Sequence, residues 1–386
     1  MPNPAADAVL IPPEAGLRPA DLTGDPVDAA AVLGPHAEGR AVWEASHARF
    51  ALREAIRLLG LGPDDEVLMP AFCCNTVSDP ITVAGATPIL CRVTSDARLD
   101  FDDVAERATS PHARALIAVH YLGFPEDLEA ARRVCREHDL VLIEDCSHAL
   151  FSAPGGVPVG RTADLAAFSI RKTLPLGIAG ALTLNPDRYA CPPPAAPAPA
   201  AGSPRDNFLR QIMALYTDFD RAARTGESEL GQPERNRLWA QARALYASDT
   251  EAHTISRVAR VVMGHADREA IVARRRANFA HLLDHLGDWA LFSSLPDGVC
   301  PLGFPVLVAN RDAVKKGLDE AAIGYLLHWS RKLVPAGGTE VCPEVPFLAD
   351  HVMTLPIHQD CTEVHLDYLV GCFTGLGIPP AVPTGA

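Results

Sequence analysis

Basic clusters are scarce in this chain. The longest run of Lys or Arg is the Arg-Arg-Arg triplet at 274–276, and 34 Lys and Arg stand against 48 Asp and Glu, a formal net charge of −14. Such a surface repels a polyanion on average, which excludes nucleic acid as an expected partner. Long apolar runs are missing too: none approaches the ~20 residues that span a bilayer, and residues 1–19 have neither the basic nor the apolar region of a secretory leader. The expectation is a cytoplasmic protein with no membrane partner. The ten cysteines are scattered and include no Cys-x-x-Cys, so a disulfide framework is not expected in a chain without a leader, and a dedicated metal site is not expected either.

What is present is enough apolar material for a large core: 386 residues with 48% hydrophobic and 21% charged side chains. Residues 1–38 are rich in Pro and Ala with weak periodicity and predict an arm lying on the body of the protein. From about Ala45 to Leu59 an apolar stripe (Phe50, Ala51, Leu52, Ala55, Ile56) predicts a helix that stops at Gly60. Short apolar runs then recur at 66–69, 87–90, 115–119 and 140–143, separated by helical stretches such as 127–138. That rhythm predicts βαβ units and an α/β fold with a mostly parallel sheet flanked by helices. The cluster of prolines at 191–204 allows neither a helix interior nor a central strand and predicts a flexible surface loop. Helices are expected at 207–247 and 267–285, with a strand at 304–308. The organisation expected is therefore an arm (1–38), a large domain (39–250) and a smaller C-terminal α+β domain (251–386).

Two segments carry chemistry. Residues 140–148 form a buried-strand run ending in Glu144, Asp145 and His148, and residues 168–172 read Phe-Ser-Ile-Arg-Lys. Ligands of parallel α/β sheets sit beyond the carboxyl ends of the strands, so Asp145 is placed to meet one, better than Glu144 because it lies one residue further into the turn. Singly, a lysine after a strand is most often a solvated charge and an Asp at a strand end a cap. Together, Lys172, Asp145 and Ser169 offer an amine, a carboxylate and a hydroxyl, which are the groups pyridoxal 5′-phosphate requires for attachment, for protonation of its ring nitrogen and for its phosphate.

The sequence resembles the DegT/DnrJ/StrS family of pyridoxal-phosphate (fold-type I) aminotransferases. The likeness rests on Asp65-Glu-Val-Leu-Met-Pro-Ala-Phe72, Ala84-Gly-Ala-Thr-Pro88, Ile117-Ala-Val-His-Tyr-Leu-Gly-Phe-Pro125, the Glu144-Asp145 pair and Leu355-Pro-Ile-His358. It implies a fold-type I large domain, a homodimer, and transfer of an amino group from an amino-acid donor to a carbonyl acceptor. By position it implies that Lys172 attaches the cofactor, Asp145 faces the pyridine nitrogen and His148 the ring hydroxyl. Ser169, Ser46, Ala48 and Arg49 would hold the phosphate at the start of a helix.

Four departures accompany the likeness. Ser169 and Lys172 are three apart rather than five. The position of the ring-stacking aromatic after Pro70 reads Cys73-Cys74-Asn75, with Phe72 a substitute only if the loop shifts. The Gly-x-Gly-Gly after the lysine appears as Gly177-Ile-Ala-Gly180. Segments that reach the partner subunit in the family are absent. Elimination, decarboxylation or racemisation on the same cofactor, or a non-catalytic accessory role on the same scaffold, stay open at this point.

Overall fold

The apolar runs form strands whose order follows from their burial. In a computed structural model, which describes residues 9–197, 204–226 and 250–383 together with isolated positions between 234 and 244, seven strands make one sheet: β1 (Ala41–Ala45), β2 (Glu66–Pro70), β3 (Thr87–Cys91), β4 (Ala113–Val119), β5 (Val141–Asp145), β6 (Leu165–Ser169) and β7 (Gly180–Leu184). Their order is β1-β7-β6-β5-β4-β2-β3. From β3 to β6 all pairs are parallel, whereas β7 runs antiparallel to both β6 and β1. The runs at 115–119 and 165–169 are buried throughout, because helices cover both faces of a parallel sheet and leave no polar side. The mostly parallel α/β architecture expected from the alternation is the one observed.

The helix Ala48–Leu58 buries Phe50, Ala51, Leu52, Ala55 and Ile56 on one stripe and ends ahead of Gly60, whose φ of 63° a side-chain-bearing residue adopts only under strain. The helix Leu128–Glu137 starts where Asp127 accepts a hydrogen bond from the Ala130 amide. A second sheet pairs β8 (Phe304–Leu307) with β9 (Val352–Leu355) in antiparallel register. One continuous apolar cluster joins this small sheet to the large one, with Ile117, Ile143, Phe279, Phe304 and Leu355 all buried in it. The helices at Pro204–Thr225 and Arg268–Leu286 fall where the periodicity puts them; most of the expected helical stretch beyond 226 lies outside the described residues.

The proline-rich segment is a correction. Residues 191–197 are held rather than free: the Trp43 indole donates to the Pro193 carbonyl at 2.8 Å, and Ala196 exchanges two backbone hydrogen bonds with Ala252 and Thr254. Proline cannot donate, but its carbonyl accepts and the alanine between prolines pairs, so the composition does not force mobility. Residues 198–203 lie outside the described residues.

Candidate active site

Because β1 is parallel to β6 through their shared antiparallel neighbour β7, the carboxyl ends of β1, β2, β4, β5 and β6 meet at one edge of the sheet. A cavity of about 150 Å³ lies there, lined by Ala48 and Arg49 after β1, Cys73, Cys74, Thr76 and Val77 after β2, Val119 and His120 at the end of β4, Asp145 at the end of β5 with Ser147 and His148 beyond it, and Ser169 at the end of β6 with Arg171 and Lys172 beyond it. Six of the seven residues singled out in the sequence, Lys172, Asp145, Ser169, His148, Ala48 and Arg49, line this one cavity. Ser46 does not. It is fully buried at the turn into the helix.

The pleat separates the two neighbouring acids. Asp145 faces the cavity, with one oxygen accepting from the Ser147 amide at 2.9 Å. Glu144 points to the opposite side, where it is fully buried and accepts from the Gly160 amide at 2.6 Å, the Ala163 amide at 3.0 Å and Thr162 Oγ1 at 3.3 Å, and pairs with His120 Nε2 at 2.9 Å. These partners hold its carboxyl below the usual range against the opposing effect of burial. His120, Glu144 and Cys146 are grouped closely enough to ligate a metal, but the glutamate oxygens are already committed to the surrounding backbone.

Lys172 ends a single 3-10 turn, Ile170–Lys172, that follows β6 directly. Burial and the neighbouring Arg171 guanidinium push its ammonium down to about 8, with Asp145 pulling the other way. The chain has four lysines; Lys316 and Lys332 are exposed and Lys315 pairs with Asp312, which leaves Lys172 as the amine in a cavity among the described residues. His148 is kept neutral, well below its ordinary value, by burial first and by Lys172 and His328 next. Gly180, the first residue of β7, lies against the helix start: a Cβ there would sit 2.5 Å from the Ala48 amide nitrogen. Only glycine lets β7 back this turn so closely.

Sequence reasoning missed three residues. Trp329, from the segment before β9, lines the cavity with a φ of 52°, a left-handed backbone that costs a non-glycine residue about 1–2 kcal/mol. Its neighbour His328 and the half-buried Glu14 line a second cavity of about 500 Å³, which Arg171 and Lys172 also touch. Tyr216 donates to Glu14 at 2.7 Å, and burial raises the Glu14 carboxyl. None belongs to a local motif; each arrives from more than 100 residues away in sequence.

Residues 30–191 match the DegT/DnrJ/EryC1/StrS aminotransferase family model. The match covers less than half of the chain, so it is a likeness over those residues. Among curated relatives, the UDP-N-acetyl-3-dehydro-alpha-D-glucosamine 3-aminotransferase of Acidithiobacillus ferrooxidans is 36% identical over 132 residues, 34% of this chain and 35% of that protein. The GDP-perosamine synthase of Vibrio cholerae is 33% identical over 145 residues, 37% of this chain and 39% of that protein. The aligned region thus spans little more than a third of either relative. Among solved structures, a sugar aminotransferase of Streptococcus pneumoniae superposes with a TM-score of 0.70 at 17% identity, covering 95% of this chain and 97% of that one. S. venezuelae DesV does so with a TM-score of 0.66 at 22% identity, over 94% and 90%. These likenesses carry the fold over nearly the whole chain.

Proposed function

We propose that this protein is a pyridoxal-phosphate-dependent aminotransferase that moves an amino group from an amino-acid donor to a carbonyl acceptor, a sugar or another biosynthetic intermediate. The observation that carries the reading is the convergence of Lys172, Asp145, Ser169 and the start of the helix Ala48–Leu58 on one cavity. The donor set fits the group: amide N–H groups at a helix start, Arg49 and Ser169 suit a phosphate, and a carboxylate stands across from an amine. When bound, pyridoxal phosphate supplies an electrophilic carbon for the amine and a ring that accepts electron density from a substrate Cα–H bond.

The chain's own residues do the rest. The Asp145 carboxylate holds a proton on the pyridine nitrogen. Lys172, with its amine at about 8, is about one-tenth in the free-base form at pH 7 and so serves first as the attachment point and then as the base that relocates the Cα proton. Neutral His148 offers a hydrogen-bonding nitrogen without adding a second cation beside Lys172. The flanking walls Val77, Val119 and Trp329 exclude water, which strengthens each of these interactions.

The same reading makes residues 39–250 the cofactor-binding domain, 251–386 a smaller domain that reaches the cavity through Trp329, and the protein a cytoplasmic homodimer. No helix among the described residues is long and apolar enough to cross a membrane. Incubation of cofactor-loaded protein with L-glutamate and no acceptor tests the activity: one equivalent of 2-oxoglutarate per site is expected. Release of ammonia or carbon dioxide instead would assign elimination or decarboxylation, and no product at all would favour a non-catalytic scaffold.

A further inference from the structure

The loop after β2 raises a question about the cofactor's ring. Members of the family are expected to place an aromatic side chain there, yet this chain has Cys74, half-buried at the cavity wall. Phe72 does not take over, because it is fully buried, outside the residues that line the cavity. Its ring packs instead against Tyr121 at 6.0 Å and meets Trp329 edge-on at 5.4 Å.

Trp329 is the aromatic side chain that reaches the space. Trp329 is 5% exposed and is held by Phe72 and, at 5.2 Å, Tyr121, both edge-on, and by the tilted His328 ring at 5.0 Å. It lies nearly parallel to His148, 5.1 Å away at 29°. The segment that carries it is fastened on both sides. Leu326 exchanges backbone hydrogen bonds with Thr354 of β9 at 2.9 and 3.0 Å, and the Leu333 carbonyl accepts from the Asn75 amide at 2.7 Å, the residue next to Cys74. The strained backbone at Trp329 is therefore imposed by anchors on the strand and on the very loop that lacks its aromatic.

We infer that Trp329, delivered by the segment before β9, is the aromatic wall against which the cofactor's pyridine ring packs, since the loop after β2 lines the cavity with Cys73, Cys74, Thr76 and Val77 and no aromatic. An indole is the strongest π-face available for a ring that Asp145 keeps cationic. The inference rests on the cofactor assignment above, and it makes the C-terminal segment, rather than the large domain alone, part of the cofactor site.

Titration of the full-length protein with pyridoxal phosphate, followed both by visible absorbance and by quenching of tryptophan emission, decides it. Wild type is expected to bind with strong quenching. Trp329→Phe should keep binding within about threefold and lose most of the quenching, since Trp43 and Trp289 lie outside the cavity lining and Trp239 would have to contribute the remainder. Trp329→Ala should weaken binding by about tenfold, and Cys74→Tyr in that background should restore it at least in part. Unchanged quenching in Trp329→Phe, or wild-type affinity in Trp329→Ala, would overturn the inference while leaving the cofactor assignment standing. Failure of the wild type to bind the cofactor would overturn both.

Discussion

Glu144 and Asp145 are adjacent, both acidic and both buried, and the structure turns them to opposite sides of the sheet. Replacing Glu144 by Ala removes the acceptor for the Gly160 and Ala163 amides and for His120 Nε2, bonds of 2.6, 3.0 and 2.9 Å in a fully buried setting. Each buried donor stranded in this way costs about 1–3 kcal/mol. Three of them, partly relieved by water entering the vacated space, give about 5 kcal/mol, a large part of the total stability of a typical domain. Glu144→Gln keeps one acceptor oxygen and should cost about half as much. Asp145→Asn retains the oxygen that accepts from Ser147, so its stability should change by less than about 1 kcal/mol. Turnover should nevertheless fall by at least about a thousandfold, because an amide cannot hold the proton on the ring nitrogen. Urea denaturation followed by circular dichroism, alongside the amino-transfer assay, reads both quantities. The reasoning fails if Glu144→Ala unfolds within about 1 kcal/mol of wild type, or if Asp145→Asn turns over nearly normally.

Further outcomes follow from other parts of the molecule. Burial holds His36 and His358 at about 4 and His328 at about 3, so below pH 6.5 the unfolded chain takes up protons that the folded one refuses. Stability is then full above that pH and falls between 6.5 and 4, by about 2 kcal/mol per histidine at pH 5, which denaturation midpoints across that range will check; a flat profile would contradict the burial of these rings. Gly180→Ala drives a Cβ into the Ala48 amide and should weaken pyridoxal phosphate affinity by at least tenfold in a spectroscopic titration, whereas wild-type affinity would mean the helix start yields freely. Deleting residues 193–197 loses the Trp43 bond and the Ala196 pairing and should cost about 2–3 kcal/mol; wild-type stability of the deletion would show that those bonds do not hold the segment.

Much of this architecture is legible in the sequence because parallel strands buried on both faces advertise themselves as short continuous apolar runs, and because a site at their carboxyl ends must draw on the next one to four residues. Asp145 and Ser169 end their strands and His148 and Lys172 follow three residues on; Asp145 is preferred to Glu144 for its place nearer the turn, and the alternation of the strand turns the two apart. Ser46 follows β1 directly and so obeys the same rule, yet it is buried outside the residues that line the cavity. Trp329, His328 and Glu14 are illegible locally, since they reach the site through β8, β9 and the N-terminal segment, and no spacing rule links positions so far apart. The His281 and His285 rings are one helical turn apart and stacked at 4.8 Å, and His281 Nε2 lies 3.0 Å from Asp367. The anchoring of residues 191–197 left no signal because backbone pairing carries no side-chain signature.

The central claim is that the amine of Lys172 attaches pyridoxal phosphate in the cavity beyond β5 and β6. Borohydride reduction of the cofactor-loaded protein followed by peptide mapping tests it most directly, with four lysines to distinguish. The account predicts one equivalent of reduced cofactor on the peptide carrying Lys172 and none after Lys172→Ala. Label on Lys315, Lys316 or Lys332, or undiminished labelling of the Lys172→Ala protein, would contradict it.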